Sequence, residues 1–402
     1  MNVGWQTKKL GEVCAVIGGG TPPKGRKDFY SGDIHWATVR DMRREVISET
    51  EFKITKEAVK CSSTNVIPKG NVVIATRVGL GKICLLEHDT AINQDLRGII
   101  PHNPQVLSVG FLYWWLKNIA HVIEEEGTGA TVKGVKLPFI KSLPIPLPPL
   151  PEQHRIVAIL DEAFKCIATA KANTEKNLEN AHELFESYLH SIFTQRGDGW
   201  VEKKLGDVCG FVRGPFGGSL KKSIFVKNGY AVYEQQHAIS DQFDDIRYFI
   251  DEAKFREMRR FELLPNDLIM SCSGTMGRVA IVPKSIKKGI INQALLKLTP
   301  NTNVSNIFLK FWMESETFQE SLREYSGGAA IQNVASVKIL KEIKTPLPSF
   351  EKQERIVSQL INLADETQRL ESLYRKKLLA LDELKQSLLH QAFIGQLSGN
   401  VP

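Results

Sequence analysis

Long apolar segments are missing from this sequence. The longest strongly apolar run covers residues 111–116, far below the roughly 20 residues that a membrane-spanning helix needs. The N-terminal region also lacks the charged, apolar and small-residue zones of a signal peptide. These absences predict a cytoplasmic protein without a membrane segment.

Cysteine pairs with metal-binding spacing are missing as well. The six cysteines include no Cys-x-x-Cys pair, so the sequence indicates neither a zinc ribbon nor a disulfide framework. Cys14 and Cys209 lie at equivalent positions of two similar segments. We therefore expect both to be small core residues.

Complete catalytic motifs are the third absence. The segment 79–83 resembles a phosphate-binding loop but has Ile83 where a magnesium-binding Ser or Thr belongs. The segment 127–132 lacks the third glycine of a dinucleotide-binding loop, and none of the nine histidines forms a His-Glu-x-x-His pair. The sequence therefore predicts a non-catalytic chain that holds no cofactor or metal of its own, in which both glycine clusters form turns.

What the sequence does contain is a long internal repeat. Trp5-x-x-Lys-Lys-Leu-Gly returns at Trp200, and Gln153-x-Arg-Ile-Val returns 200 residues later at Gln353. A repeat of this length indicates a duplicated domain and not a solenoid, whose units have about 20 to 50 residues. The 402 residues, 42% of them hydrophobic, suffice for two cores of about 150 residues each.

Each copy begins with short β-type runs between glycine and proline turns. We predict strands at 72–75 and 83–86 and a helix at 110–125 in the first copy, and strands at 267–270 and 279–282 and a helix at 308–323 in the second. The fold class is therefore predicted as mixed α/β (α+β).

A long amphipathic helix follows each of these domains. Residues 152–193 and 352–393 carry apolar residues at steps of three and four for about six heptads, without an internal proline or glycine. Each helix would be about 60 Å long, which exceeds the diameter of a domain of ~150 residues. We therefore expect the two helices to pair as an antiparallel coiled coil with pseudo-twofold symmetry. The predicted seam includes Ile156, Leu160, Ile167, Leu184, Ile356, Leu360, Leu370 and Leu384.

Proline-rich segments precede both long helices. Residues 144–149 and 346–348 lie at the same position of the two copies, which favours a rigid linker over a polyproline ligand for a partner's groove. The predicted organisation is a first domain at 1–150, a central helix at 151–196, a second domain at 197–349 and a C-terminal helix at 350–402.

Basic and amide side chains cluster in both domains. The net charge of +7 is compatible with a polyanionic partner but does not require one. Arg, Lys and Gln contact base edges, and Arg and Lys also bind phosphates. A single cluster is more often solvated surface, whereas several clusters in each domain favour double-stranded DNA as the partner. The candidate DNA-binding residues are Lys24, Arg26, Lys27, Arg40, Arg43, Arg44, Lys133, Lys136, Arg213, Lys221, Lys222, Gln235, Gln236, Arg259 and Arg260.

The two copies differ most where these clusters lie. The internal match is clear in the proline segments and helices but fades at 17–60 and 211–257. One framework therefore holds two unlike surfaces, which predicts a bipartite, non-palindromic target.

These features together resemble the specificity subunit of a type I restriction-modification system. The resemblance covers essentially the whole chain, and its specificity comes from the order of the duplicated motifs. The second proline junction, at 346–353, departs from the family pattern but keeps Gln353-x-Arg-Ile-Val. The motifs are Trp-x-x-Lys-Lys-Leu-Gly at each domain start, Asn93-Gln94, Asn292-Gln293, the junction at 146–157, and the segments 19–23, 34–42 and 214–220, which resemble two classes of target-recognition domain.

The resemblance implies a non-catalytic DNA reader with two target-recognition domains on an antiparallel coiled coil. It also implies two modification subunits, which use S-adenosylmethionine to methylate adenine, and two ATP-dependent restriction subunits. S-adenosylmethionine, ATP and magnesium would then belong to those partners. A modification subunit would dock on the exposed faces of the paired helices.

Three other interpretations remain open at this point. The specificity factor of a solitary adenine methyltransferase would have the same sequence features. A coiled-coil scaffold that binds only proteins would show no salt-sensitive DNA binding. A stand-alone nuclease or methyltransferase would need motifs that this sequence lacks.

Overall fold

The computed structural model describes residues 5–129, 134–216, 218–325 and 337–398. The chain forms two compact units. The first unit comprises Met1–Glu175 with Lys376–Pro402, and the second comprises Lys176–Arg375. Each unit thus combines one mixed α/β domain with part of both long helices. The four segment boundaries stated above follow chain order and stay a prediction.

In the first unit, one sheet has the order β2-β10-β7-β8-β4, another has the order β5-β3-β9-β6, and β1 pairs with β11. Its strands are β1 (Gln6–Lys9), β2 (Cys14–Gly18), β3 (Ile34–Ala37), β4 (Val46–Ile47), β5 (Phe52–Ile54), β6 (Asn65–Ile67), β7 (Val72–Ala75), β8 (Ile83–Leu86), β9 (Thr90–Ile92), β10 (Leu96–Pro101) and β11 (Pro144–Leu147). Its helices are α1 (Leu10–Val13), α2 (Lys56–Lys60), α3 (Val109–Asn118), α4 (Ala120–Glu125), α5 (Leu137–Ser142) and the start of α6 (Leu150–Thr194).

The second unit repeats this plan, with sheet orders β13-β19-β16-β17 and β15-β14-β18 and the pair β12-β20. Its strands are β12 (Val201–Lys204), β13 (Cys209–Arg213), β14 (Tyr230–Tyr233), β15 (Tyr248–Ile250), β16 (Leu268–Ser271), β17 (Val279–Ile281), β18 (Gly289–Ile291), β19 (Leu295–Pro300) and β20 (Lys344–Leu347). Its helices are α7 (Leu205–Val208), α8 (Gln235–Ser240), α9 (Glu252–Glu257), α10 (Asn306–Glu314), α11 (Glu316–Tyr325), α12 (Val337–Glu342) and the start of α13 (Phe350–Phe393).

The predicted mixed α/β fold with two long helices is confirmed. The strands at 72–75 and 83–86 have the predicted bounds, whereas each predicted domain helix is divided in two, at Ile119 and at Ser315. Cys14 and Cys209 are buried core residues as predicted. Burial raises the pKa of both thiols to about 12, so neither is a reactive thiolate at neutral pH.

The proline segments are strands and not linkers. Pro144–Leu147 pairs antiparallel with Gln6–Lys9, and Lys344–Leu347 pairs with Val201–Lys204. In each unit the Trp-x-x-Lys-Lys-Leu-Gly motif is therefore hydrogen-bonded to the proline segment. The glycine of each Leu-Gly motif is explained by the same close packing, because a Cβ at Gly11 or Gly206 would lie 2.9 Å from the Cβ of Lys141 or Lys341.

A buried glutamine fixes each long helix to its domain. The Gln153 side chain accepts a hydrogen bond from Ser108 N at 2.9 Å and donates to Val106 O and Pro148 O. Gln353 makes the equivalent bonds to Ser305 N, Asn303 O and Pro348 O. A buried amide is tolerated because its polar atoms are paired.

Within each unit the two long helices run antiparallel. In the first unit Arg155 donates to Leu397 O at 2.6 Å and Lys171 pairs with Asp382 at 2.7 Å. In the second unit Lys352 donates to Asp198 O at 3.0 Å, and His182 lies 3.6 Å from Glu371. Residues early in one helix thus meet residues late in the other.

The seam between the helices corrects two predicted positions. Ile156, Leu160, Ile167, Ile356 and Leu360 are buried and Leu370 is half-buried, but Leu184 and Leu384 are exposed by 51% and 46%. After Thr174 and after Tyr374 the seam advances by four residues instead of three, to Leu178 and Leu378, so that Phe185 and Lys385 replace the two predicted leucines.

Candidate nucleic-acid interface

A short turn after strand β3 forms the centre of the candidate site in the first unit. Strand β3 lies between β5, to which it is antiparallel, and β9, to which it is parallel. Asn93 N donates to Ala37 O at 3.0 Å, and this bond fixes the end of β9 beside the turn. Asp41 accepts from Thr38 N at 2.7 Å and from Glu51 N at 2.8 Å. The backbone at 38–41 is therefore held from both sides.

This turn borders a groove of about 610 Å³. The Arg40 side chain is 75% exposed there, and its Nη1 lies 3.5 Å from a carboxylate oxygen of Glu51. An exposed ion pair of this kind contributes only about 0–1 kcal/mol, so Arg40 can exchange Glu51 for another partner. The lining residues are Thr21, Lys24, Tyr30, Trp36, Thr38, Val39, Arg40, Glu51, Phe52, Val78, Asn93, Gln94 and Asp95.

Aromatic side chains support one wall of the groove. Trp36 is buried and donates from Nε1 to Gly20 O at 3.2 Å. Tyr30 packs edge-on against Trp36 with ring centroids 5.9 Å apart and donates to Pro22 O at 2.8 Å. These bonds fix the 20–22 loop, which carries Thr21 into the groove.

The predicted cations of the first domain do not all meet. Lys24 and Arg40 share the groove, whereas Arg43 and Arg44 line a neighbouring hollow of about 440 Å³. Arg26 is bonded to Asp28 at 2.6 Å, and this hydrogen bond lowers the pKa of the Asp28 carboxyl. Three further candidates lie elsewhere: Lys27 is exposed at the start of a 3₁₀ turn, Lys136 precedes α5, and Lys133 falls outside the described residues.

The Asn93-Gln94 pair was not among the candidate site residues. Asn93 Oδ1 accepts from Asp95 N at 3.1 Å, which closes the turn after β9, and Gln94 hydrogen-bonds Thr21 inside the groove. Arg97 donates to Gln94 O at 3.0 Å, and burial lowers the pKa of its guanidinium. The signal that could have identified the pair is its exact recurrence as Asn292-Gln293 in the second copy.

The second unit contains the same framework. Strand β14 lies antiparallel to β15 and parallel to β18, and Asn292 N donates to Tyr233 O at 2.9 Å. The ring nitrogens of His237 lie 2.9 Å from Glu234 N and 3.0 Å from Asp245 O. His237 therefore spans the turn after β14 as Asp41 spans the turn after β3.

The side chains on this second framework differ from those of the first. Gln235 accepts from Ser273 Oγ at 3.0 Å, and Gln236 donates to Asp245 O at 3.1 Å. Arg213 lies at the end of β13 beside Cys272. Burial raises the pKa of the Cys272 thiol to about 12, and the charge of Arg213 opposes this increase. Arg213, Gln235 and Gln236 therefore lie on neighbouring segments of one surface.

The other candidates of the second domain border a separate small core that contains Phe255 and Met258. Lys221, Lys222, Arg259 and Arg260 are exposed at the edges of that core, and Arg259 lies 3.7 Å from Glu262. Phe216 was also missed: its ring is 90% exposed in the loop after β13. An aromatic ring this exposed is available for contact with a partner.

Among the residues that the structure describes, no group of three or more His, Cys, Asp or Glu side chains is arranged to hold a metal ion. Within the same residues, no helix combines the length and the apolar character needed to cross a membrane.

The duplicated framework, with a different surface in each unit, defines a protein built from two related domains. The family model of the type I restriction modification DNA specificity domain matches residues 2–180 and again residues 197–379. The chain therefore belongs to the type I restriction-modification DNA specificity family, and it is a DNA specificity subunit of that kind of system.

Individual relatives agree with this assignment. The chain is 23% identical to the type I restriction enzyme MjaIX specificity subunit of Methanocaldococcus jannaschii, over 98% of this chain and 93% of that one. It is 32% identical to the EcoR124I/EcoR124II specificity subunit of Escherichia coli over 48% of each chain.

Solved structures share the fold over nearly the whole chain. One solved structure comes from work on complex assembly and conformational transition of the type I R-M system. It has a TM-score of 0.76 at 21% identity, with 98% of each chain covered. The HsdS subunit from Thermoanaerobacter tengcongensis has a TM-score of 0.69 at 20% identity, with 98% and 97% covered.

Proposed function

We propose that this chain is the non-catalytic reader of a type I restriction-modification enzyme and recognises an asymmetric, two-part DNA target. The observation that carries the proposal is the pair of turns at 38–41 and 234–237, which follow the two strands at the same register position and carry different side chains. Two identical readers would select a palindrome, whereas two unlike readers select two unlike half-sites. Each unit therefore reads one half of the target.

We further propose that the chain recruits two modification subunits and two restriction subunits in the cytoplasm. Two equivalent leucines on the long helices support a pair of modification subunits, because Leu184 in the second unit and Leu384 in the first are about half-exposed. Leu373 and Leu379 on the C-terminal long helix are exposed by 51% and 65% as well. Exposed leucines on a helix can form contacts with a partner protein.

The partners would supply the chemistry of the complex. S-adenosylmethionine belongs to the modification subunits in this proposal, and ATP and magnesium belong to the restriction subunits. The chain itself positions the DNA through its lysine, arginine and glutamine side chains.

Co-expression with the modification subunits in a host without adenine methylation tests the proposal. Methylome sequencing should reveal one motif with two different halves and a spacer of fixed length, and this chain expressed alone should produce no methylation. A palindromic motif, or methylation by the chain alone, would contradict the proposal. ATP-dependent cleavage of unmethylated target on addition of the restriction subunits distinguishes a complete system from a solitary methyltransferase.

DNA binding by the purified complex should also depend steeply on salt. Each phosphate contact releases counterions, so the logarithm of the affinity falls linearly with the logarithm of the salt concentration. Binding that does not change between low and high salt would contradict a phosphate-contacting interface.

A further inference from the structure

Arg40 and Gln236 occupy the same backbone position of the two units. Ala37 pairs with Ile92 in parallel register, and Tyr233 pairs with Ile291 in the same way. Counting three residues onward from Ala37 and from Tyr233 gives Arg40 and Gln236. The match is independent of side-chain identity, because it rests on strand register and on the two equivalent bonds from Asn93 N and Asn292 N.

The residues that the two units share cannot encode different bases. Asn93 and Asn292 both accept a backbone N–H two residues later, at 3.1 and 3.0 Å. Gln94 and Gln293 are the middle residues of these turns and are exposed. A difference between the half-sites must therefore come from positions where the units differ, and 40/236 is such a position beside both turns.

The two side chains at this position have different hydrogen-bonding chemistry. A guanidinium only donates, and it matches the two acceptors of guanine, O6 and N7. A carboxamide both donates and accepts, and it matches the N7 acceptor and N6 donor of adenine. Gln236 uses one N–H on Asp245 O, which leaves its second N–H and its Oε1 to form that pair of bonds with a base.

We propose that Arg40 reads a guanine in one half of the target and that Gln236 reads an adenine at the corresponding position of the other half. This inference rests on the proposed two-part DNA recognition and adds the residues and bases that set it. Asp41 and His237 form hydrogen bonds that hold each turn next to its strand. The base is therefore selected by the side chain at position 40 or 236.

Reciprocal exchange in the full chain with its modification subunits tests the assignment. Arg40→Gln should remove the requirement for one guanine in one half-motif, with about a 10- to 100-fold loss of methylation on the original sequence. Gln236→Arg should remove the requirement for one adenine in the other half. The second half-motif and the spacer should be unchanged in each case, as methylome sequencing can show.

Two further variants keep the test informative if an exchange impairs folding. Arg40→Lys keeps the charge but loses the fork of donors, so guanine selectivity should relax while salt-dependent binding persists. Arg323→Gln is the matched control, because its side chain is 62% exposed on α11 and also pairs with a glutamate, and it should leave the motif unchanged.

The outcomes separate this inference from the function on which it rests. An unchanged motif with a folded Arg40→Gln complex, or an equal loss at both half-motifs, would overturn the base assignment. Absence of any two-part motif with the natural chain would instead overturn the proposed function.

Discussion

The two units are alike where each domain meets the long helices and unlike where each faces the candidate DNA surface. Gln153 and Gln353 make the same three kinds of bond. By contrast, Thr38 and Asp41 are replaced by Glu234 and His237, and the segment after the strand is a 3₁₀ turn in the first unit but begins helix α8 in the second. The comparison shows that the two units share their attachment to the helices, whereas the segments after β3 and β14 start at the same register position but carry different side chains.

The largest expected effect tests the shared part of the comparison. Gln153→Leu leaves Ser108 N, Val106 O and Pro148 O unpaired in a buried site, so the free energy of unfolding should fall on the order of 3 kcal/mol. Gln353→Leu should cost about the same, since its site is built alike. Urea denaturation measures the loss, and hydrogen exchange shows which unit is affected.

Gln386→Leu is the control for both variants, because Gln386 is an exposed glutamine on the same kind of helix. Its effect should stay within about 0.5 kcal/mol. A loss at Gln153 without a matching loss at Gln353 would show that the two attachments are not equivalent.

The next effect concerns the unlike surfaces. Changing both Arg43 and Arg44 to Ala should weaken recognition of one half-site only, by about 1–3 kcal/mol at one position for a base contact. If the two arginines bind phosphates instead, affinity should fall for all sequences and the salt dependence should become shallower. Binding assays with DNA altered in one half at a time measure this, and equal discrimination losses at both halves would argue against separate readers.

A smaller effect tests the corrected register of the long helices. Leu178→Ala removes a half-buried seam residue and should destabilise the second unit by about 1–2 kcal/mol, below the cost of a fully buried leucine. Leu184→Ala changes a half-exposed side chain six residues away and should cost at most about 0.5 kcal/mol. Thermal or urea unfolding of the isolated chain compares them, and the reverse order would restore the register predicted from the sequence.

The last effect depends on pH and arises at a position where the units carry opposite charge. Burial raises the pKa of Glu314 from 4.5 to about 7, against the opposing effect of Lys310, whereas burial lowers the pKa of Lys117 in the first unit. The folded second unit therefore binds the Glu314 proton more tightly than the unfolded chain does. Stability from this group is complete below about pH 4.5 and is lost as the pH rises to about 7.

Glu314→Gln should remove this pH dependence, so the variant should gain stability relative to the natural chain at pH 8 but not at pH 4. Denaturation at the two pH values measures the difference. An equal difference at both would show that Glu314 does not titrate on folding in this range.

The sequence was sufficient for the features that depend on local pattern. The long helices follow from a heptad pattern without proline or glycine, and strands such as Val72–Ala75 follow from short β-branched runs. The predicted seam was wrong at Leu184 because Leu184 and Phe185 are both apolar, so either residue continues the heptad pattern. Only the structure, in which Thr174 is buried and Leu178 half-buried, shows that Phe185 belongs to the seam.

Features that depend on distant partners could not be read from the sequence. The proline segment Pro144–Leu147 becomes a strand because Gln6–Lys9 lies beside it, and proline alone favours a linker. Arg40 and Gln94 line the same groove although they are more than 50 residues apart in the chain. The candidate cations were found by clustering along the sequence, which cannot show that Arg26 is engaged by Asp28.

The packing of Phe393 against Phe111 at 5.2 Å has a consequence for synthesis. The first unit needs Leu389, Ala392 and Phe393 of the C-terminal helix to complete its core, whereas the second unit is one continuous segment that ends at residue 375. During translation at about 5–20 residues per second, all of the second unit is made before the first unit receives its last helix. The domain that is synthesised first is therefore the one completed last, and until then its apolar face at Phe111 awaits the C-terminal helix.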